Sequence, residues 1–116
     1  MTLPGWVAPQ LATLVGAAPA GPEWVHEIKL DGYRVLARIE RGRVRLLTRT
    51  RQDWTDHFDA VAEAAAALPV KEALLDGEVV ALDQAGVSSF QALQQGAAGA
   101  DGRTLAYVAL DRKSVV

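Results

Sequence analysis

Glu27-Ile28-Lys29-Leu30-Asp31-Gly32-Tyr33-Arg34 carries more charge than a buried strand tolerates. An extended segment from Trp24 puts Glu27, Lys29 and Asp31 on one face and His26, Ile28 and Leu30 on the other, because strand side chains alternate. Unpaired charges are costly to bury, so that face must line a solvated pocket or form its own ion pairs. Asp31-Gly32 is a turn signal and sets Lys29 near a strand end. A lysine amine in water holds its proton up to about pH 10. To act as a nucleophile it needs a cationic helper, and a divalent metal brought in with a nucleotide is the natural one. A surface ion pair on an edge strand accounts for the same spacing.

Working outward, Tyr33, Val35, Ala37 and Ile39 alternate with Arg34, Leu36, Arg38 and Glu40, the half-buried strand pattern. Arg41-Gly42 makes a tight connection to a second strand over residues 43–49, giving an antiparallel hairpin. Seven of the twelve basic residues (Arg34, Arg38, Arg41, Arg43, Arg45, Arg49 and Arg51) fall between positions 34 and 51, against the single acid Glu40. Arginines spaced by two project from one face of a hairpin and suit bidentate phosphate contacts, although a solvated sheet face reads the same way.

Further along, Thr55 is a candidate N-cap for a helix over residues 55–68, with Phe58, Val61, Ala62, Ala65 and Leu68 on one face, ended by Pro69. Residues 73–83 read as a strand in which Asp76 and Glu78 share a face amid apolar neighbours, where carboxylates need a ligand, a metal or a cation. A turn and a helix over 86–95, capped at Ser88 or Ser89, come next, then a small-residue loop and a last strand over 104–111. Four of the five prolines lie within residues 1–22, which marks a mostly irregular arm with one helical turn near 10–15.

The chain's 116 residues allow one small domain, and 50% hydrophobic residues suffice for one core. There is no cysteine, so disulfides and thiolate metal sites are excluded. No apolar run reaches the roughly 18 residues a membrane span needs, and the N-terminus has no signal-peptide pattern. A soluble, cytoplasmic protein is expected. The net charge of −2 is less informative than the clustering of arginine.

Lys29-Leu30-Asp31-Gly32-Tyr33-Arg34 resembles the K-x-D-G-x-R signature of covalent nucleotidyltransferases: DNA ligases, RNA ligases and mRNA capping enzymes. With Pro9-Gln10-Leu11-Ala12-Thr13-Leu14, Thr48-Arg49-Thr50-Arg51, Leu74-Leu75-Asp76-Gly77-Glu78-Val79-Val80 and Ser89-Phe90-Gln91-Ala92-Leu93-Gln94, the text is most similar to the ligase domain of bacterial DNA ligase D. Capping and RNA-ligase readings rank below it, because they share only the lysine motif. The resemblance implies an α+β fold, a mainly antiparallel sheet with packed helices. It corresponds to part of an ATP-grasp-like nucleotidyltransferase (adenylation) domain over residues 23–116, preceded by the arm.

The resemblance also implies roles: Lys29 as the catalytic residue adenylated by ATP, Glu27 at the adenine amino group, Arg34 and Arg49 on ribose or phosphates, and Glu78 on the ribose hydroxyl. Glu78 and Asp76 would serve the metal, Mg²⁺ or Mn²⁺. Arg38, Arg45 and Arg51 would contact DNA. The implied partners are ATP and nicked or broken double-stranded DNA, with a C-terminal ligase half or other end-joining proteins, in the cytoplasm at the bacterial nucleoid. The chain departs from the family text at three places. Thr50-Arg51 stands where Asn-Gly is common, Leu110 where an aromatic stacks on adenine, and Gln95 where a basic residue is expected. After Asp111 the match ends, before the later glutamate and lysine motifs and the oligonucleotide-binding domain. The expectation is therefore an N-terminal ligase fragment, with a non-catalytic DNA- or nucleotide-binding fragment or an inert remnant as alternatives.

Overall fold

The computed structural model describes residues 3–9, 13–25, 29–95 and 104–115. Glu27, residues 10–12 of the expected helical turn, and most of the stretch that would link Trp24 to Lys29 lie outside them. Strand β1 (Tyr33–Glu40) turns back at Arg41-Gly42 into β2 (Arg43–Thr48), with Arg38 opposite Arg45. Both turn residues have positive φ, 50° and 82°. That is the mirror-image turn whose twist matches a hairpin. Strand β3 (Glu72–Leu82) pairs on the other side of β1, and β4 (Thr104–Val115) pairs with β3. Among the described residues this makes a four-stranded, wholly antiparallel sheet in the order β2-β1-β3-β4.

Helix α1 (Asp59–Ala66) follows β2 and α2 (Phe90–Gln95) follows β3. Val35, Ala37, Leu46, Val79 and Ala81 point from the sheet into one core with Phe58, Val61 and Leu93. Burying each of the larger aliphatic side chains contributes about 1.5–3 kcal/mol. The four-alanine run keeps α1 slim enough to approach the sheet. Its N-cap falls three residues later than the text predicts, because Thr55 is occupied elsewhere: its hydroxyl accepts from Leu46 N at 3.0 Å and donates to Asp53 Oδ1. Phe58 takes the N-cap position with no side-chain cap, and Leu68, expected on the apolar face, is 44% exposed.

The opposite sheet face is roofed by the arm. Leu3, Trp6 and Val7 pack on Leu36, Leu47 and Leu74, and the Arg38 guanidinium donates to Pro4 O at 2.9 Å and Leu3 O at 3.3 Å. Residues 3–9 and 13–25 contain neither helix nor strand, and residues 13–15 do not form the expected turn. The expected strand through Lys29 is also absent from residues 29–31: the ladder begins at Tyr33. Asp31-Gly32 therefore leads into β1 rather than closing a hairpin. Gly32 is needed there, because a Cβ would run into Val79 O of β3. Gly77 is needed for the same steric reason, with Val108 O and the Tyr107 ring against it.

Candidate active site

Arg34 and Asp76 stand on neighbouring antiparallel strands, two residues off direct register and so on the same sheet face, and meet in a bidentate ion pair. Arg34 Nε donates to Asp76 Oδ1 at 2.6 Å and Nη2 donates to Oδ2 at 2.8 Å. Asp76 is 1% exposed, so the pair sits in a medium where the charge would be untenable alone. The hydrogen bonds to Asp76 hold the Arg34 guanidinium above its usual pKa despite partial burial. Expected to serve a metal, Asp76 instead has both carboxylate oxygens engaged by Arg34.

Glu78 lies directly across from Arg34. Its Oε2 is buried and has no hydrogen-bond partner among the described residues. Burial raises the Glu78 pKa; the positive charges of Arg34 and Lys29 work against that rise, and Asp31 adds to it. Arg34, Lys29 and Asp31 therefore each lie within electrostatic reach of Glu78. A buried, unsatisfied carboxylate oxygen is an acceptor waiting for a hydroxyl, a proton or a cation. No cluster of three or more His, Asp or Glu side chains forms a metal cage among the described residues. The donor set suits a cation that arrives with phosphate ligands, as Mg²⁺ usually does.

Beside this cluster a cleft of about 390 Å³ opens between Gly32, Tyr33, Arg34 and the loop after β2, with Thr48, Arg49, Thr50, Gln52 and Trp54 on its wall. Lys29 is exposed and Glu78 half-buried; neither lines that cleft. The loop is tightly tied. Arg51 N donates to Thr48 O and Thr48 N to Gln52 O, both at 2.9 Å, while Gln52 N donates to Thr48 Oγ1 at 3.0 Å. Arg51 holds φ at 67°, the left-handed conformation that glycine takes without strain. Arg51 thus adopts the conformation that a glycine at this position would favour. The guanidinium lies 4.4 Å from the centre of the Trp6 ring, whose Nε1 donates to Thr48 O at 3.3 Å. A cation over an aromatic face helps offset the backbone cost.

The expected DNA contacts are less free than their spacing implies. Arg38 is held by the arm and by Glu40 at 3.0 Å, Arg45 pairs with Asp53 at 3.3 Å, and Arg51 covers Trp6. Arg41, Arg43 and Arg49 are exposed, and among the described residues their side chains have no hydrogen bond or ion pair. Trp54 and Tyr107 carry no role in the sequence reading. Trp54 walls the cleft, with the Tyr33 ring edge-on at 5.1 Å and His57 stacked on it at 5.0 Å. The Tyr107 hydroxyl donates to Val35 O at 2.8 Å and reaches Leu75 O at 3.1 Å, and burial pushes its pKa well above the usual phenol value.

Residues 9–109 match the model of the ATP dependent DNA ligase domain. The chain belongs to that family. It is 48% identical over 109 residues to the multifunctional non-homologous end joining protein LigD of Pseudomonas aeruginosa, spanning 94% of this chain and 13% of that protein. To the LigD of Mycolicibacterium smegmatis it is 39% identical over 88 residues, 75% of this chain and 12% of the relative. The solved ligase domain of Mycobacterium tuberculosis LigD superposes with a TM-score of 0.65 at 32% identity, covering 77% of this chain and 29% of that one. A mycobacterial DNA ligase D complexed with ATP and MES matches equally well. The α+β architecture described above is thus shared with part of the solved ligase domain, and the chain spans about an eighth of the length of these curated relatives.

Proposed function

We propose that this chain carries the first part of an ATP-dependent adenylation site of the LigD type, serving DNA end joining and repair, with Lys29 as the nucleophile. The observation that supports this best is Glu78, its buried Oε2 unpartnered among the described residues, directly across from Arg34, which lines an open cleft together with Arg49. In the proposed step the Lys29 Nζ lone pair attacks the α-phosphorus of ATP. The N–P bond forms, the bond to the β-phosphate oxygen breaks, pyrophosphate leaves and the amine's proton goes to solvent. AMP remains on Lys29 as a phosphoramidate. In full ligases AMP then passes to a DNA 5′-phosphate and a 3′-hydroxyl displaces it, sealing the nick.

Glu78, with its unpaired buried oxygen, accepts from a ribose hydroxyl or faces a phosphate-borne Mg²⁺ or Mn²⁺. Such a cation, when bound, neutralises phosphate charge. Arg49 meets phosphate from the cleft wall, while Asp76 keeps Arg34 extended toward the same space. Glu27 is assigned to adenine on the motif alone. Sealing by the 116-residue chain by itself is not part of the proposal, since it covers 29% of the solved ligase domain. No described helix is long and apolar enough to cross a membrane.

Incubation with α-phosphate-labelled ATP and Mg²⁺ or Mn²⁺, beside Lys29→Ala, tests the reading. Acid-labile label on the unmodified chain alone supports it, and label that survives Lys29→Ala rules the nucleophile out. A second reading is favoured by Arg41, Arg43 and Arg49, exposed and with no side-chain partner among the described residues: duplex DNA bound without chemistry. It requires affinity that falls steeply with salt, and Arg43→Ala should flatten that dependence.

A further inference from the structure

A nucleophile on a coil cannot borrow its position from a strand ladder. Lys29 precedes β1, and the described segment around it, residues 29–32, contains no helix or strand. Among the described residues, two hydrogen bonds tie that segment to a part of the chain almost 60 residues away. Asp31 N donates to Ser88 Oγ at 2.9 Å, and Phe90 N donates to Asp31 Oδ2 at 3.0 Å. Asp31 therefore gives its amide to the loop before α2 and takes an amide from the helix's first residue. The Phe90 ring lies 4.8 Å from that of Tyr33, so the first residue of β1 is packed against the same helix.

Ser88 is itself placed by a compact return of the chain beyond β3. Asp83 Oδ1 accepts from Ala85 N and Val87 N, both at 2.9 Å, and Asp83 N donates to Val87 O at 3.0 Å. Gly86, at φ 82°, makes the corner. The chain then doubles back so that Ser88 bridges Leu82 and Ser89 N reaches Ala81 O at 3.1 Å. Side-chain to backbone bonds of this kind fix a loop without a core beneath it. They aim the Ser88 hydroxyl at the lysine motif.

We propose that Ser88 is a positioning residue for Lys29, with the Asp83 turn as its support. This rests on the reading of Lys29 as the nucleophile and extends it to a residue outside the lysine motif. Attack on phosphorus is sensitive to placement: a misplacement of about 1 Å costs on the order of 100-fold in rate. The Ser88 hydroxyl touches no reacting atom; it limits how far the Lys29 backbone can stray. Threonine keeps the hydroxyl and alanine removes it.

The test compares the full chain with Ser88→Ala and Ser88→Thr in two measurements. Amide hydrogen exchange at Asp31 should accelerate about tenfold in Ser88→Ala, the equivalent of one lost hydrogen bond, and stay near the unmodified rate in Ser88→Thr. Formation of Lys29–AMP should lose about tenfold in maximal rate in Ser88→Ala with the KM for ATP nearly unchanged, and recover with threonine. Unaltered exchange in Ser88→Ala overturns the proposal. So does a loss of rate that tracks the unfolding midpoint and is not rescued by threonine. Should the unmodified chain form no Lys29–AMP, the nucleophile reading falls while the exchange measurement still decides whether Ser88 holds the segment.

Discussion

On the helix-covered face of the sheet, Val35, Ala37, Leu46 and Val79 are each no more than 1% exposed; one position along the same strands, the other face holds Arg34, Asp76 and Glu78. The first face is closed by a contiguous apolar core, where any volume loss is felt as a cavity. The second is closed by ion pairing and by an irregular arm clamped through Arg38. Within one sheet, stability and the candidate chemistry are thus allotted to opposite sides by the two-residue period of the strand. The polar side keeps one acceptor, Glu78 Oε2, unsatisfied among the described residues.

Deleting a single charge on the polar side should have the largest effect. Asp76→Ala removes the bidentate carboxylate from a partly buried Arg34 guanidinium and should cost about 4 kcal/mol in urea unfolding, whereas Arg34→Met with Asp76→Leu should recover most of it. On the apolar side Leu46→Ala should cost about 3 kcal/mol, with no change in salt dependence. If Asp76→Ala proved the milder of the two, the division between the faces would need revision. Trp6→Ala comes next, at about 2 kcal/mol, because it uncovers Leu36 and Leu47 and removes the ring beneath Arg51.

Glu78→Gln should act in the opposite sense. Burial raises this carboxyl's pKa, so the folded state prefers it protonated. That contribution is fully present below the unfolded pKa and is lost as pH rises through the folded one. The glutamine variant should therefore be more stable than the parent at neutral pH, by less than about 1 kcal/mol given partial solvent screening. The gap should close on acidification; a gap that widens in acid would remove burial as the cause. The smallest expected change is Arg51→Gly, within about 0.5 kcal/mol, since relief of the positive φ offsets the lost contact with Trp6. Combined with Trp6→Ala it should become stabilising.

Local text carried much of this. The alternation from Tyr33 to Glu40 and the Arg41-Gly42 turn are what β1 and β2 use, and the apolar run around Asp76 forms β3. Helix limits were less legible, because Thr55 reads as a cap locally but is taken by Leu46 and Asp53 across a turn. The strand expected through Lys29 is absent from the described residues 29–31 for a related reason. Alternating polar and apolar residues report faces only where a neighbouring strand pairs with them, and among the described residues of this stretch pairing begins at Tyr33.

The sequence by itself determined the family, the lysine motif and the residue types brought to the site, since these depend on chain order and local pattern alone. Tertiary structure decided which charges are spent inside the molecule. Arg34 with Asp76, Arg38 with the arm and Arg51 with Trp6 are separated by roughly 35 to 45 positions in the chain, beyond the reach of any periodicity. It also decided that Asp31 and Ser88 meet, because an antiparallel strand order brings the start of β1 beside the end of β3. Pairing energy depends on distance and burial, and neither exists until the chain has folded.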